Sequence, residues 1–123
     1  MFKNLFVVMV GGGAGSACRY LFSLIALRWF GNGFPWGTLG VNLIGCLLIG
    51  FLYGMVEKSL ISSSTRLFLI TGFVGGLTTF STFALETVVF QEGQPFLGML
   101  NLAANNLGGL VLVIGGIWLG RLV

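Results

Sequence analysis

The feature that most limits how this chain can fold is a series of four apolar runs, each close to 20 residues long. A helix needs about 20 apolar residues to cross the roughly 30 Å hydrocarbon core of a bilayer. The sequence therefore predicts an all-α, multi-pass membrane protein, with residues 1–123 forming a single four-helix transmembrane domain. The predicted helices occupy about residues 5–27, 36–56, 67–90 and 96–122.

Composition excludes most soluble functions. Only 7% of the residues are charged and 56% are apolar, whereas soluble domains carry roughly 25% charged residues. Nine ionisable side chains cannot cover a water-facing surface, and a net charge of +3 is too scattered for a nucleic-acid interface. Cys18 and Cys46 lie in apolar runs without metal-binding or redox spacing, which indicates packing residues. We expect neither an enzyme nor a nucleic-acid-binding protein.

Short polar segments separate the runs, and none is long enough to fold alone. Ser64 or Thr65 is a candidate cap for the third helix, and Pro95 suits the first turn of the fourth. Any function must therefore be built from the helices and their ends. The separating segments are residues 31–35, 57–65 and 91–95.

Pairs of glycines four residues apart occur in every run. Such pairs let two helix backbones approach closely in a membrane, either within one chain or between subunits. Four helices enclose little interior, so we expect a transport path to need a second subunit. The pairs are Gly11/Gly15, Gly50/Gly54, Gly72/Gly76 and Gly116/Gly120.

The third run has the most unusual composition, because residues 71–83 place three glycines within five residues directly before Thr78 and Thr79. This pattern predicts a break in the helix at bilayer depth. Transporters use such breaks to present carbonyls to cations and helix N-termini to anions. The alternative is a continuous helix whose glycines only allow close packing.

Beyond the expected break, hydroxyls and aromatic rings share one helical face. Thr79, Thr82, Phe83 and Glu86 fall at offsets 0, 3, 4 and 7, and Phe80 is an i,i+3 neighbour of Phe83. A phenyl ring has a positive edge, so ring edges beside hydroxyl donors could replace part of the hydration of a small anion. The alternative is that the two phenylalanines only pack.

Polar side chains also interrupt the second and fourth runs. Asn42, one turn after Thr38, must find a partner in hydrocarbon, either through an interhelical hydrogen bond or as a donor lining a pathway. In the fourth run, Asn101 and Asn105 are i,i+4 and Asn106 is adjacent, so this stripe should face protein or water.

Two charges need an explanation, Arg19 near the end of the first run and Glu86 within the third. Ionisable groups at such depth are costly unless they are paired, solvated or extended to the interface. Arg19 could reach the interface or pair with Glu86, and Glu86 could carry protons. The basic residues give only a weak positive-inside bias, so insertion in both orientations stays open.

Four motifs resemble the small dimeric fluoride channels of the Fluc/CrcB type. They are Gly-Gly-Ala-Gly-Ser-Ala-Cys-Arg-Tyr at 12–20, Pro-Trp-Gly-Thr-Leu at 35–39, Asn-Leu-Ile-Gly at 42–45, and Gly-Phe-Val-Gly-Gly-Leu-Thr-Thr-Phe-Ser-Thr-Phe at 72–83 with Glu86-Thr87. The resemblance covers essentially the whole chain. It implies a dual-topology, antiparallel homodimer that passively exports fluoride through pathways at the subunit interface, in the inner membrane of a bacterium.

The resemblance also implies roles for individual residues. The ring edges of Phe80 and Phe83, the Asn42 amide and the hydroxyls of Ser81 and Thr82 would line the fluoride path. Carbonyls of Gly75 and Thr78 from both subunits would hold a structural sodium ion. Arg19 matches the first-helix arginine of the family and Thr38 its vestibule threonine. The positions nearest to the fourth-helix tyrosine and serine of the family are Leu102 and Leu110, and Asn101, Asn105 or Asn106 could substitute for them.

Two other classes compete with a channel. A proton-coupled exporter of the small multidrug type also has four helices and dual topology, but it should carry a carboxylate in its first helix. The charged residue well inside the first run is Arg19, and the buried acid is Glu86 in the third. A non-transporting membrane subunit would need glycines for packing alone, and the polar and aromatic stripe after the break argues against it.

Overall fold

The computed structural model describes residues 1–123 and consists of helices joined by short connections. Four helical segments are long and apolar enough to cross a membrane. The third is divided into α3, residues 63–77, and α4, Phe80–Gly93. The other three are α1 (Phe2–Phe30), α2 (Trp36–Glu57) and α5 (Pro95–Leu122).

The helix ends follow local sequence signals. The third span starts after Ser62, whose hydroxyl accepts the Thr65 N–H at 3.2 Å, so the expectation that Ser64 or Thr65 caps this helix is wrong by two to three residues. Ser62 takes the position because its extended backbone leaves the hydroxyl facing the first free N–H groups. Pro95 is the first residue of α5, as predicted. Gly31 ends α1 with a φ of 72°.

The glycine pairs make close backbone contacts between neighbouring helices. Gly11 and Gly15 of α1 pack on α3, where a Cβ on Gly11 would lie 3.2 Å from the Gly72 Cα. The second contact joins α2 to α5, where a Cβ on Gly116 would lie 3.1 Å from the Gly50 Cα. All four predicted pairs are therefore used within one chain, which explains a glycine content that would otherwise weaken the helices.

Few large side chains are buried, and most of the apolar surface faces outward. The core is a narrow seam between the helices, as expected for four spans of this length. Val41 and Asn101 are fully buried, and Phe34, Leu39, Leu52, Val74, Leu77 and Phe83 are at most 9% exposed. The outer apolar surface suits lipid or another membrane-embedded chain.

The third span breaks at Thr78 and Thr79, both of which have extended backbone, with φ/ψ of −82°/157° and −148°/118°. The predicted break is confirmed, and the continuous-helix alternative is wrong. Gly75 and Gly76 themselves remain helical. A Cβ on Gly76 would lie 3.1 Å from the Gly12 Cα, so this glycine serves helix contact while the threonines form the break.

Candidate functional site

The carboxamide of Asn42 completes the backbone at the break. Its Nδ2 donates to the Thr79 carbonyl at 3.1 Å, and its Oδ1 accepts the Thr79 N–H at 2.8 Å. The backbone groups of an interrupted helix need other partners in hydrocarbon. One of the two interpretations of Asn42 from the sequence was an interhelical hydrogen bond, and the structure contains such bonds.

The carbonyl end of α3 faces α1. Because the Thr79 N–H donates to Asn42, the Gly75 carbonyl lacks the N–H that a continuous helix would supply. Arg19 Nη1 donates to the Thr78 carbonyl at 3.2 Å, and the Ser16 hydroxyl donates to the Gly76 carbonyl at 3.4 Å. A cation at this end complements the partial negative charge of a helix C-terminus.

Arg19 and Glu86 do not form an ion pair. Arg19 turns inward to the break, and Glu86 bonds elsewhere. The single salt bridge joins Arg121 Nε of α5 to Glu57 Oε2 of α2 at 2.8 Å, on the exposed end of the bundle. The suggested Arg19–Glu86 pair is therefore absent, because the Thr78 carbonyl is within reach of the guanidinium and supplies its acceptor.

The amino end of α4 is capped by the second threonine of the break. The Thr79 hydroxyl accepts the Thr82 N–H at 3.3 Å and donates to the Thr82 hydroxyl at 3.1 Å. This arrangement is a helix N-cap. The break thus places a carbonyl terminus and an N–H terminus next to one another, with opposite partial charges.

A chain of side-chain hydrogen bonds connects the break to α5 and back to α4. Asn42 Nδ2 donates to Asn105 Oδ1 at 2.9 Å, and Asn105 Nδ2 donates to the carbonyl and the Oδ1 of Asn101, both at 3.0 Å. Asn101 Nδ2 donates to the Thr87 hydroxyl at 2.9 Å, which donates to the Phe83 carbonyl at 2.8 Å. Asn101 and Asn105 therefore face protein, one of the two environments predicted for the stripe, whereas Asn106 is exposed and donates to the Leu102 carbonyl of its own helix. Asn105 lies in a widened π-helical turn at Ala104–Gly108, one turn after Asn101.

A cavity of about 300 Å³ lies beside the break and brings several predicted residues together. Phe83 is only 6% exposed, whereas Phe80 is 78% exposed. Their ring centroids are 5.7 Å apart, with 63° between the planes, so an edge of one ring faces the other. The cavity is also lined by Asn42, Thr78, Thr79, Asn105 and Asn106.

A second cavity, of about 270 Å³, contains the other pair of predicted residues. Thr38, which is buried, donates its hydroxyl to Glu86 Oε1 at 2.9 Å. Glu86 Oε2 is buried without a hydrogen-bond partner. Ser81 and Thr82 lie on the exposed face of α4 and line neither cavity. The residues predicted to form one site are therefore distributed over two cavities and the exposed face of α4.

Sequence reasoning missed two features of this site. Thr38 and Glu86 were singled out separately, but their hydrogen bond joins residues 48 positions apart. Thr87 was noted only as part of a motif, although it ends the asparagine chain. The available signal was that Phe83 and Thr87 are i,i+4 on one face, which allows the hydroxyl to bond back to the Phe83 carbonyl.

The fold and the site define a small multi-pass membrane protein whose polar groups converge on a broken helix. This arrangement is typical of channels and transporters, in which irregular backbone at membrane depth lies against protein or a cavity. Residues 6–117 match the family described as "CrcB-like protein, Camphor Resistance (CrcB)". The chain belongs to this family.

Relatives carrying the name "Fluoride-specific ion channel FluC" match almost the full chain. The protein from Maridesulfovibrio salexigens is 42% identical over 100% of this chain and 98% of its own length. The protein from Clostridium novyi is 48% identical over 95% of this chain and 93% of its own, and that from Clostridium perfringens is 44% identical over the same shares. The relatives are named as channels, and the family is not one of enzymes.

Proposed function

We propose that this chain forms a fluoride-conducting channel. The observation that carries the proposal is the similarity to proteins named fluoride-specific ion channels, which extends over 95–100% of the chain and so includes the break and both cavities. A small multidrug-type exporter is not favoured, because α1 contains no carboxylate.

The chemistry of the larger cavity suits a small, strongly hydrated anion. Such an ion needs donors in place of water, but a deep well would trap it. No lysine or arginine lines the cavity, so the available donors are weak. They include the ring edges of Phe80 and Phe83, the free thiol of Cys46, and one amide hydrogen of Asn106, whose other hydrogen is donated to the Leu102 carbonyl at 2.7 Å.

Asn42 contributes to this path mainly by shaping it. The resemblance assigns to Asn42 an amide donor for fluoride, but both of its amide hydrogens bind protein acceptors, the Thr79 carbonyl and Asn105 Oδ1. In our proposal its amide lines the pathway while holding the break in place. A direct bond to fluoride would require one of these two bonds to open.

A second copy of the chain completes the pathway in an antiparallel homodimer. Phe80 is largely exposed although it lines the cavity, so one wall is missing from the single chain. Ser81 and Thr82 lie on the same exposed face of α4, where a partner would enclose their hydroxyls beside the rings. The weak bias of basic residues permits both insertions, and twofold symmetry then gives two pathways.

The break also fits a structural sodium ion at the centre of such a dimer. Carbonyl oxygens are suitable ligands for a hard cation, and the Gly75 carbonyl lacks its helical donor while the Thr78 carbonyl accepts only the Arg19 side chain. No cluster of histidine, cysteine or acidic side chains offers an alternative metal site. Two carbonyls from each copy would hold the ion, which would fix the two breaks against one another.

The second cavity would then be the entrance to the path. Thr38 and Glu86 lie in it with Ser23 and Trp36, at the end of the bundle that carries the α1–α2 connection. The relatives are bacterial proteins. We place the protein in the bacterial inner membrane, where passive flow through it would export fluoride.

Fluoride efflux from liposomes containing the purified protein tests this proposal. We expect fast fluoride release, no chloride release and no dependence on a proton gradient. Phe80→Leu and Phe83→Leu, separately and together, should abolish most of the efflux while the protein stays folded. Phe96→Leu is the matched control, because this ring is 75% exposed and lies at the start of α5, away from the cavity.

The outcomes separate the possible functions. Release coupled to a proton gradient would favour the exporter, and no release from intact protein would favour a packing subunit. Cross-linking between copies tests the dimer. Replacing sodium with N-methyl-glucamine during assembly should lower activity if the carbonyl site holds sodium.

A further inference from the structure

In the hydrogen bonds that connect Thr87 to the break, the donor and the acceptor of each bond can be deduced one after another. A threonine hydroxyl carries one proton, and Thr87 donates it to the Phe83 carbonyl at 2.8 Å. The bond of 2.9 Å between this hydroxyl and Asn101 must therefore be donated by Asn101 Nδ2. The Thr87 hydroxyl thus determines which end of the Asn101 amide faces α4.

The same reasoning identifies the donor and the acceptor at Asn105 and then at Asn42. With its nitrogen on Thr87, Asn101 presents its Oδ1 and its backbone carbonyl to Asn105, which uses both amide hydrogens on them at 3.0 Å. Asn105 is left with only its Oδ1 toward Asn42, so Asn42 must donate. Its Oδ1 is then the atom that accepts the Thr79 N–H.

A reversed Asn42 amide would be incompatible with the break. Its nitrogen would face the Thr79 N–H, and its oxygen would face the Thr79 carbonyl. Both contacts would then be repulsive, and the partly buried N–H and carbonyl of Thr79 would be left unpaired. The orientation of this one side chain therefore decides whether the extended conformation at Thr79 is stable.

We infer that Thr87 and Asn101 are positioning residues of the pathway, which act through Asn105 and Asn42 to hold the Thr79 backbone in its extended conformation. The inference rests on the proposed function for its effect on fluoride flow. Neither Thr87 nor Asn101 lines either of the two cavities described above, and Asn101 has no exposed surface. We call the hydrogen bonds from Thr87 through Asn101 and Asn105 to Asn42 the relay. Because the same Thr87 hydroxyl binds the Phe83 carbonyl, the relay also joins the break to the turn that carries the buried ring.

Thr87→Val tests the relay because it removes the hydroxyl and keeps the shape of the side chain. Thr87→Ser retains the hydroxyl and should restore the original behaviour. Thr71→Val is the matched control, since Thr71 is an exposed threonine of α3 that takes no part in the hydrogen bonds of Thr87 and Asn101. Asn101→Ala breaks the next link and provides a second, independent variant.

Two readouts are measured on each variant in the full-length protein, namely fluoride efflux and backbone amide exchange by NMR. The Thr79 N–H reports on the relay, because Asn42 protects it. The Thr78 N–H is an internal reference, because it donates to the Val74 carbonyl at 3.1 Å at the end of α3 and makes no bond to Asn42. In Thr87→Val and Asn101→Ala we expect Thr79 exchange to rise and efflux to fall, each by about tenfold, the effect of one strong interhelical hydrogen bond.

The inference is overturned if Thr79 exchange stays unchanged in both variants, since the relay would then not reach the break. It is also overturned if Thr78 and Thr79 exchange rise equally, which would indicate general loosening of the helix junction. Failure of Thr87→Ser to restore Thr79 protection would count against it in the same way. If the unaltered protein releases no fluoride, the proposed function fails, but the exchange result still decides the relay.

Discussion

The contact between α2 and α5 should tolerate no side chain at Gly116. A Cβ there would lie 2.8 Å from the Phe51 backbone nitrogen and 3.1 Å from the Gly50 Cα, whereas ordinary contacts of a Cβ are at 3.4 Å or more. Both neighbours are backbone atoms, so the two helices must move apart to make room. Overpacking of this kind costs about 1–3 kcal/mol, which we expect as the destabilisation caused by Gly116→Ala.

Gly115→Ala is the matched control on the adjacent residue of the same helix. A Cβ on Gly115 would meet nothing within 4 Å. Both substitutions bring the same gain in helix propensity, up to about 1 kcal/mol, so this gain cancels when the two variants are compared. The difference between them should therefore be about 1–3 kcal/mol, or roughly 5- to 150-fold in the unfolding equilibrium.

Equilibrium unfolding in mixed micelles, followed by helical circular dichroism as the fraction of denaturing detergent rises, measures this difference. Equal stability of Gly116→Ala and Gly115→Ala would refute the claim that α2 and α5 are in backbone contact at Gly116. Combining Gly50→Ala with Gly116→Ala provides a further check. Helices already separated by the first substitution should accept the second at lower cost, so the effects should be less than additive.

Two charged residues give contrasting predictions. Arg121→Gln removes a salt bridge to Glu57 that is exposed to solvent, so the thermal unfolding temperature and the rate of fluoride efflux should both stay unchanged. A large decrease in either would show that this end of the bundle is not freely exposed to solvent. Arg19→Gln removes the guanidinium cation from the Thr78 carbonyl. The rate of fluoride efflux should fall and should depend more strongly on the sodium concentration. An unchanged dependence on sodium would contradict a carbonyl site shared by Arg19 and sodium.

Much of the fold could be predicted from the sequence because membrane helices satisfy their backbone bonds internally. The apolar runs and the Pro95 helix start depend only on nearby residues. The position of the break could not be predicted as well, since adjacent glycines and threonines both weaken a helix. Gly76 stays helical because α1 packs against it, and Thr79 is extended because Asn42, 37 residues away in sequence, binds its backbone.

The same limit applies to the candidate site. The types of residue at the site could be recognised in the sequence, but their partners depend on the register between helices, which periodicity does not give. Arg19 could have paired with Glu86 or reached the interface, and it binds the Thr78 carbonyl instead. Glu86 is bound by Thr38 across the bundle, a contact that follows only once α2 and α4 are placed side by side.

A broken helix in hydrocarbon needs a partner for every backbone group it frees, and here the partners are distributed unequally. Thr79 has Asn42 on both its N–H and its carbonyl, while the Thr78 carbonyl has Arg19. The Gly75 carbonyl, whose helical donor is taken by Asn42, lies at an exposed position of α3. The bonds that stabilise the break within one chain thus leave acceptor capacity at an exposed carbonyl of α3. In the proposed homodimer, a cation shared between two such carbonyl ends would tie assembly of the dimer to the conformation of the proposed pathway.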